Sequence, residues 1–150
     1  MNYLDDLVEN IYDKLEIKPG QIHMNTICAK LNLTLIKAPT RSRHTHMRNR
    51  DYIFIDDRKH EQEQLEEFSH ELGHYFLHDG GSLRIKNVYY EYQERQANNF
   101  AERFLVPFFA LRQIELPPNR ADAVYFLETK FNIRRDLAKK TAFTLRENSI

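Results

Sequence analysis

The stretch from Glu61 to His78 places the strongest demand on any fold this chain can adopt, because it reads as a helix with a glycine in its middle. Leu65, Phe68, Leu72, Tyr75 and Phe76 give it an apolar face at helical spacing. A run of glutamates occupies its first turns, where the helix dipole favours negative charge. Gly73 breaks the pattern, since a glycine inside a helix costs about 1 kcal/mol relative to alanine. Its position predicts that another backbone or side chain approaches the helix closely between residues 70 and 74. Asp79-Gly80-Gly81 reads as the stop.

His70 and His74 flank that glycine. Residues four apart lie on one helix face, a turn apart, so both imidazoles can direct a nitrogen at a single ion about 2.0–2.1 Å away. Glu71, beside the first of them and rotated round the helix, can bring its carboxylate to a water on that ion. The five residues His70-Glu71-Leu72-Gly73-His74 therefore read as a zinc site, for one ion, with its own general base.

A catalytic zinc takes three protein ligands and keeps a position for water, so a third ligand has to come from elsewhere. The extended metzincin pattern would need a histidine and a glycine where the chain has Gly80 and Leu77. His78 continues the four-residue spacing but stands about 12 Å along the helix axis from His70. That favours a supporting or helix-ending role. Among the acidic candidates Glu91, Glu94 and Glu102, Glu94 is the best, because it opens the turn Glu94-Arg95-Gln96-Ala97-Asn98. Ala97 and Asn98 share its helix face. The small residue would let this second helix sit close to the first near Gly73, and Asn98 could orient a ligand histidine by accepting its other ring N–H.

The rest of the chain reads as a frame for these two helices. An amphipathic helix spans Leu4 to Leu15, and a shorter one runs from about Asn25 to Leu31. Leu33 to Ile36 and Tyr52 to Ile55 are strands. The polar segment from Thr40 to Asp51 reads as a solvated hairpin connection between Leu35 and Ile53, with a phosphate-binding patch of Arg41, Arg43, Arg48 and Arg50, or an accessory metal site at His44 and His46, as alternatives. After a connection bearing Tyr89 and Tyr90, helix resumes at about Tyr92 and runs to Leu105. A short helix follows Pro107, and a final pair covers about Ala121 to Lys130 and Ile133 to Arg146. That pair either packs on the core through Val124, Phe126, Leu127, Leu137, Phe143 and Leu145, or turns Arg134, Arg135, Lys139 and Lys140 toward DNA; packing accounts for more of its apolar surface.

Composition narrows the class. Lysine plus arginine and aspartate plus glutamate balance at 22 each in 150 residues, which leaves no global field for nucleic acid or an anionic membrane. No apolar run approaches the roughly 20 residues that cross a bilayer, and the acidic start Met1-Asn2-Tyr3-Leu4-Asp5-Asp6 is unlike a secretory signal. Cys28, the one cysteine, reads as a small apolar residue inside a helix. These features describe one cytoplasmic domain over residues 1–150 with no direct nucleic-acid or membrane partner.

Taken together, His70-Glu71-Leu72-Gly73-His74-Tyr75-Phe76-Leu77-His78, then Glu94 through Ala101, then Leu105-Val106-Pro107 resemble the ImmA/IrrE family of bacterial and phage metallopeptidases. The resemblance implies an α+β, mostly helical, gluzincin-like domain, expected here with a small antiparallel sheet beside the zinc helix. It implies that His70, His74 and Glu94 hold zinc and that Glu71 is the catalytic acid/base. It also implies a setting in which such proteins cleave the helix-turn-helix repressor of a prophage or mobile element. Val106 departs from the methionine usual at its position, and the helix-turn-helix module of some relatives is not seen, so a DNA contact would come through a partner. The expected reaction is peptide-bond hydrolysis, with an extended substrate adding to an edge strand placed at Ile53 and Ile55. Tyr89, Tyr90, Tyr92 and His78 are candidates to stabilise the oxyanion. The rival reading is a zinc-containing regulator that binds a repressor without cutting it.

Overall fold

The computed structural model describes residues 2–78 and 87–148, so the stop expected at Asp79-Gly80-Gly81 lies outside the described residues. Helix α1 (Tyr3–Leu15) begins at a reciprocal cap: the Asn2 side chain accepts from the backbone N–H of Asp5, and the Asp5 carboxylate accepts from that of Asn2. It buries Val8, Ile11 and Tyr12. Helix α2 (Met24–Leu31) closes on Asn32 in the left-handed conformation and leads into the sheet.

The sheet has strands β1 (Leu33–Ala38), β2 (Arg43–Met47) and β3 (Arg50–Asp56) in the order β1-β3-β2. It is mixed, not antiparallel as expected: β1 runs parallel to β3 and only β2 runs against it. The segment read as a solvated connection contains β2. Arg48 and Asn49 both take positive φ, 50° and 63°, and make the two-residue turn of a β2–β3 hairpin. Most such turns advertise themselves with glycine, and this one has none. The best strand of the sequence, carrying Ile53 and Ile55, is consequently central, and β2 forms an outer edge.

Helix α3 (Glu61–Leu77) lies against this sheet and buries Leu65, Phe68, Ser69, Leu72 and Gly73. Helix α4 (Asn87–Leu105) packs along α3. It includes Asn87 to Glu91, ahead of the start expected near Tyr92, so Tyr89 and Tyr90 are helical; the poor helix propensity of the run Val88-Tyr89-Tyr90 hides this turn. Phe100 and Phe104, fully buried and stacked at 5.6 Å, anchor α4 in the core beside Leu72. The short α5 (Phe108–Leu111) follows Pro107.

Tyr12 links α1 to the end of α4 by donating its hydroxyl to the carbonyl of Phe104 at 2.5 Å. That carbonyl is among the last four of its helix, which lack an intrahelical donor. Burial pushes the phenol further above its usual pKa, so it stays a donor. Tyr12→Phe removes the donor and leaves the carbonyl buried. An expected loss of about 1–3 kcal/mol follows, measured by urea or thermal unfolding; a change below about 0.5 kcal/mol would mean that the carbonyl finds another partner.

Helices α6 (Arg120–Phe131) and α7 (Arg135–Asn148) form a pair packed on the same core through Leu127, Phe131, Ala138 and Ala142. Phe143, expected inward, is 56% exposed. Ala138 and Ala142, four apart, define the inward face, and Phe143 is rotated off it. Arg134 makes two hydrogen bonds of 2.8 and 2.9 Å to Glu66 of α3, and Lys140 makes two of 2.8 and 2.9 Å to Glu102 of α4. These two basic residues hold the pair against the central helices. No helix among the described residues is long and apolar enough to cross a membrane.

Candidate metal centre

Gly73 explains how the centre is assembled. A Cβ at this position would stand 3.0 Å from both the Cα and the carbonyl oxygen of Ala97, and 3.2 Å from Cβ of Phe100. The missing side chain of Gly73 and the small one of Ala97 let the backbones of α3 and α4 approach at one point, as the sequence predicts. One turn back from Ala97, Glu94 then reaches across to the histidines.

The three side chains converge tightly. Nε2 of His70 and Nε2 of His74 are 3.2 Å apart. One carboxylate oxygen of Glu94 is 3.2 Å from His70 Nε2, and the other is 2.6 Å from His74 Nε2. Donor atoms around one four-coordinate ion at about 2.0–2.1 Å stand roughly 3.3 Å from one another, so two imidazoles and a carboxylate at these separations fit a shared metal ion. Among the described residues this is the one group of three such side chains close enough to hold an ion. Both imidazoles are about a fifth exposed and the carboxylate about a third, 19% and 32%. Burial drives the pKa of His74 down to about 4, against the opposing pull of Glu94, so its ring is neutral and has a lone pair to offer.

Glu71 sits beside this cluster against the outer edge of β2. The backbone N–H of His44 lies close enough to its carboxylate to favour the charged form. Burial, the largest influence, raises the pKa of Glu71, partly opposed by His70 and by the His44 N–H. A carboxylate held this way is a stronger base than an exposed glutamate. A cavity of about 200 Å³ opens here, between residues 41–46 on one side and His70, Glu71, His74, His78, Tyr90, Gln93 and Glu94 on the other. His70 also borders two larger clefts of about 540 and 510 Å³.

Residues 28–142 match the IrrE N-terminal-like domain of the peptidase M78 type. The chain belongs to this family. The family is of metallopeptidase type, and a metal ion is what its three converging side chains can hold. Two relatives from Bacillus subtilis (strain 168) extend the likeness beyond those residues. The phage-like element PBSX protein XkdA is 32% identical over 141 residues, covering 93% of this chain and 71% of the relative. The uncharacterized protein YqaB is 32% identical over 143 residues, covering 93% of this chain and 81% of its own length.

The other candidates separate. Glu91 is exposed and Glu102 is engaged by Lys140, which leaves Glu94 with the histidines. Asn98 is exposed and borders the larger cleft beside His70; the side chain that meets the second nitrogen of a ligand histidine is His78, on His74. Tyr90 lines the small cavity, whereas Tyr92 accepts from Gln96 and Tyr89 packs against Tyr92. His44 and His46 both turn to one oxygen of Asp51, at 3.0 and 3.2 Å. Sequence reasoning missed Gln96 and His44. Gln96 is two residues from Glu94, off its helix face, and His44 acts through its backbone, which no side-chain pattern reveals.

A consequence follows for Gly73. Gly73→Ala brings a Cβ to 3.0 Å from the Ala97 backbone, so α4 must give by a few tenths of an ångström; an overpacking of about 1–3 kcal/mol outweighs the roughly 1 kcal/mol gained in helix propensity, and the shift moves Glu94 relative to the histidines. The expected result is lower stability together with weaker metal retention, read by unfolding and by metal content. Wild-type values of both would show that the helices can part without disturbing the centre.

Proposed function

We propose that this protein is a zinc-dependent endopeptidase that cleaves a helix-turn-helix repressor of a prophage or mobile element and so releases the genes it silences. The reading rests above all on the convergence of His70, His74 and Glu94 with Glu71 beside them at the edge of β2. Two nitrogens and a carboxylate are a donor set that suits zinc and leaves a position for water. The likeness to a protein of a phage-like element supports the biological setting. On this reading the protein works in the cytoplasm, where such a repressor meets its operator.

Zinc, held by His70, His74 and Glu94, would supply Lewis-acid polarisation of the scissile carbonyl and a water of lowered pKa. Glu71 takes a proton from the attacking water as the new C–O bond forms, then gives it to the leaving nitrogen as the C–N bond breaks. The nearby His44 N–H favours the charged form of that carboxylate. Substrate in extended form adds to the outer edge of β2 by main-chain pairing, in place of the central strand first expected. Tyr90, which borders the same cavity as Glu71, would donate to the developing oxyanion.

Co-expression with a helix-turn-helix repressor taken from the neighbouring genes tests the reading. Loss of full-length repressor with appearance of defined fragments is the expected result. Intact repressor in a stable complex would replace the peptidase with a zinc-containing regulator that acts by binding.

A further inference from the structure

His78 leaves the helical path at the end of α3, with φ −133° and ψ 140°. That change of direction brings its ring against His74: the two Nδ1 atoms are 3.0 Å apart. On its other side, Nε2 of His78 is 2.9 Å from Oε1 of Gln96 on α4, and Nε2 of Gln96 donates to the hydroxyl of Tyr92 at 3.2 Å. Four side chains from two helices thus form one line of hydrogen bonds that ends at a residue of the metal centre.

The direction of that line follows from its chemistry. An amide oxygen only accepts, so Nε2 of His78 carries the hydrogen. A neutral imidazole has one N–H and one lone pair, which makes Nδ1 of His78 an acceptor. Of two nitrogens 3.0 Å apart one must donate, and here it is Nδ1 of His74. The lone pair of His74 is then at Nε2, the atom that faces His70 and Glu94 at 3.2 and 2.6 Å. The reverse orientation of the Gln96 amide would send every hydrogen the other way. It would put one on Nε2 of His74, where it blocks coordination.

We propose that Gln96 and His78 are positioning residues for the metal centre: Gln96 selects the tautomer of His78, and His78 accepts the Nδ1–H of His74 and so aims its Nε2 at the ion. This rests on the reading of His70, His74 and Glu94 as metal ligands. In this role each residue acts through His74. Partners of this kind fix ring orientation and ligand basicity, and their removal typically weakens metal binding by about 10–100-fold.

The test measures Zn2+ affinity of the full chain by competition with a chromophoric chelator. His78→Phe, which keeps a ring but has no acceptor, is expected to bind zinc about 10–100-fold more weakly. His78→Asn, whose side-chain oxygen stands near the position of Nδ1, is expected to restore most of that loss. Gln96→Leu should weaken binding and Gln96→Glu should not, because a carboxylate still accepts from His78; this pair decides the matter if His78→Phe does not fold. Long-range proton–nitrogen NMR of the zinc-loaded protein should find His78 protonated at Nε2. Equal zinc affinity in wild type, His78→Phe and Gln96→Leu overturns the proposal, as does a His78 protonated at Nδ1. A wild-type chain that binds no more zinc than His74→Ala overturns the metal centre itself, and is recognisable as that separate failure.

Discussion

Glu71→Gln is expected to keep fold and metal content while repressor cleavage falls by about 10²–10⁴-fold, the range that a positioned acid/base supplies. The amide has nearly the shape of the carboxylate, so the packing beside β2 survives. What the amide cannot do is take a proton from water and return it to the leaving nitrogen. Undiminished cleavage by the variant would remove Glu71 from the mechanism. Burial raises the Glu71 pKa in the metal-free protein, and a zinc ion beside it would pull the other way.

Glu94→Ala should have the largest effect on metal content. Glu94 divides its two oxygens between His70 and His74 and is the carboxylate of the cluster. Without it two neutral imidazoles remain, and an ion loses both a donor and the one negative charge that compensates it. The expected loss of zinc affinity exceeds the roughly 10–100-fold associated with a ligand's hydrogen-bond partner. It should therefore exceed that of His78→Phe in the same chelator competition. Unchanged metal stoichiometry in Glu94→Ala would move the third ligand elsewhere, and the exposed Glu91 would be tested next.

The order of these two effects reflects how the centre is distributed over the chain. His70, Glu71 and His74 are neighbours on one helix, and helical periodicity alone places two imidazoles on one face. Glu94 lies 24 residues from His70. It was singled out because Ala97, three positions on, offers a small surface to a helix that carries Gly73. The contact between Gly73 and Ala97 is where that inference meets the fold. Asn98 shows its limit: sharing a helix face with Glu94 did not bring it to a ligand, because its side chain turns to the cleft beside His70 and to solvent.

Elements held by local signals were legible. Helices α1, α3 and α6 and strands β1 and β3 follow apolar periodicity, and their ends lie within a few residues of the expected ones. Strand β2 was not legible, because its side chains are polar and its turn uses Arg48 and Asn49 in place of glycine. Its existence depends on pairing with β3, a contact that propensity does not contain. The position of β3 within the sheet was hidden for the same reason, and with it which edge stands beside Glu71.

Residue spacing by itself determined the helix that carries His70, Glu71 and His74 and the demand at Gly73 for a close neighbour, because each depends on positions within one or two helical turns. Only the tertiary structure decided that the neighbour is Ala97, that β2 stands beside Glu71, and that His78 reaches both His74 and Gln96. These last contacts join segments whose separation in the chain carries no periodic signal. They exist because the packing of α3 against α4 and the sheet brings side chains of otherwise unremarked type within hydrogen-bonding distance.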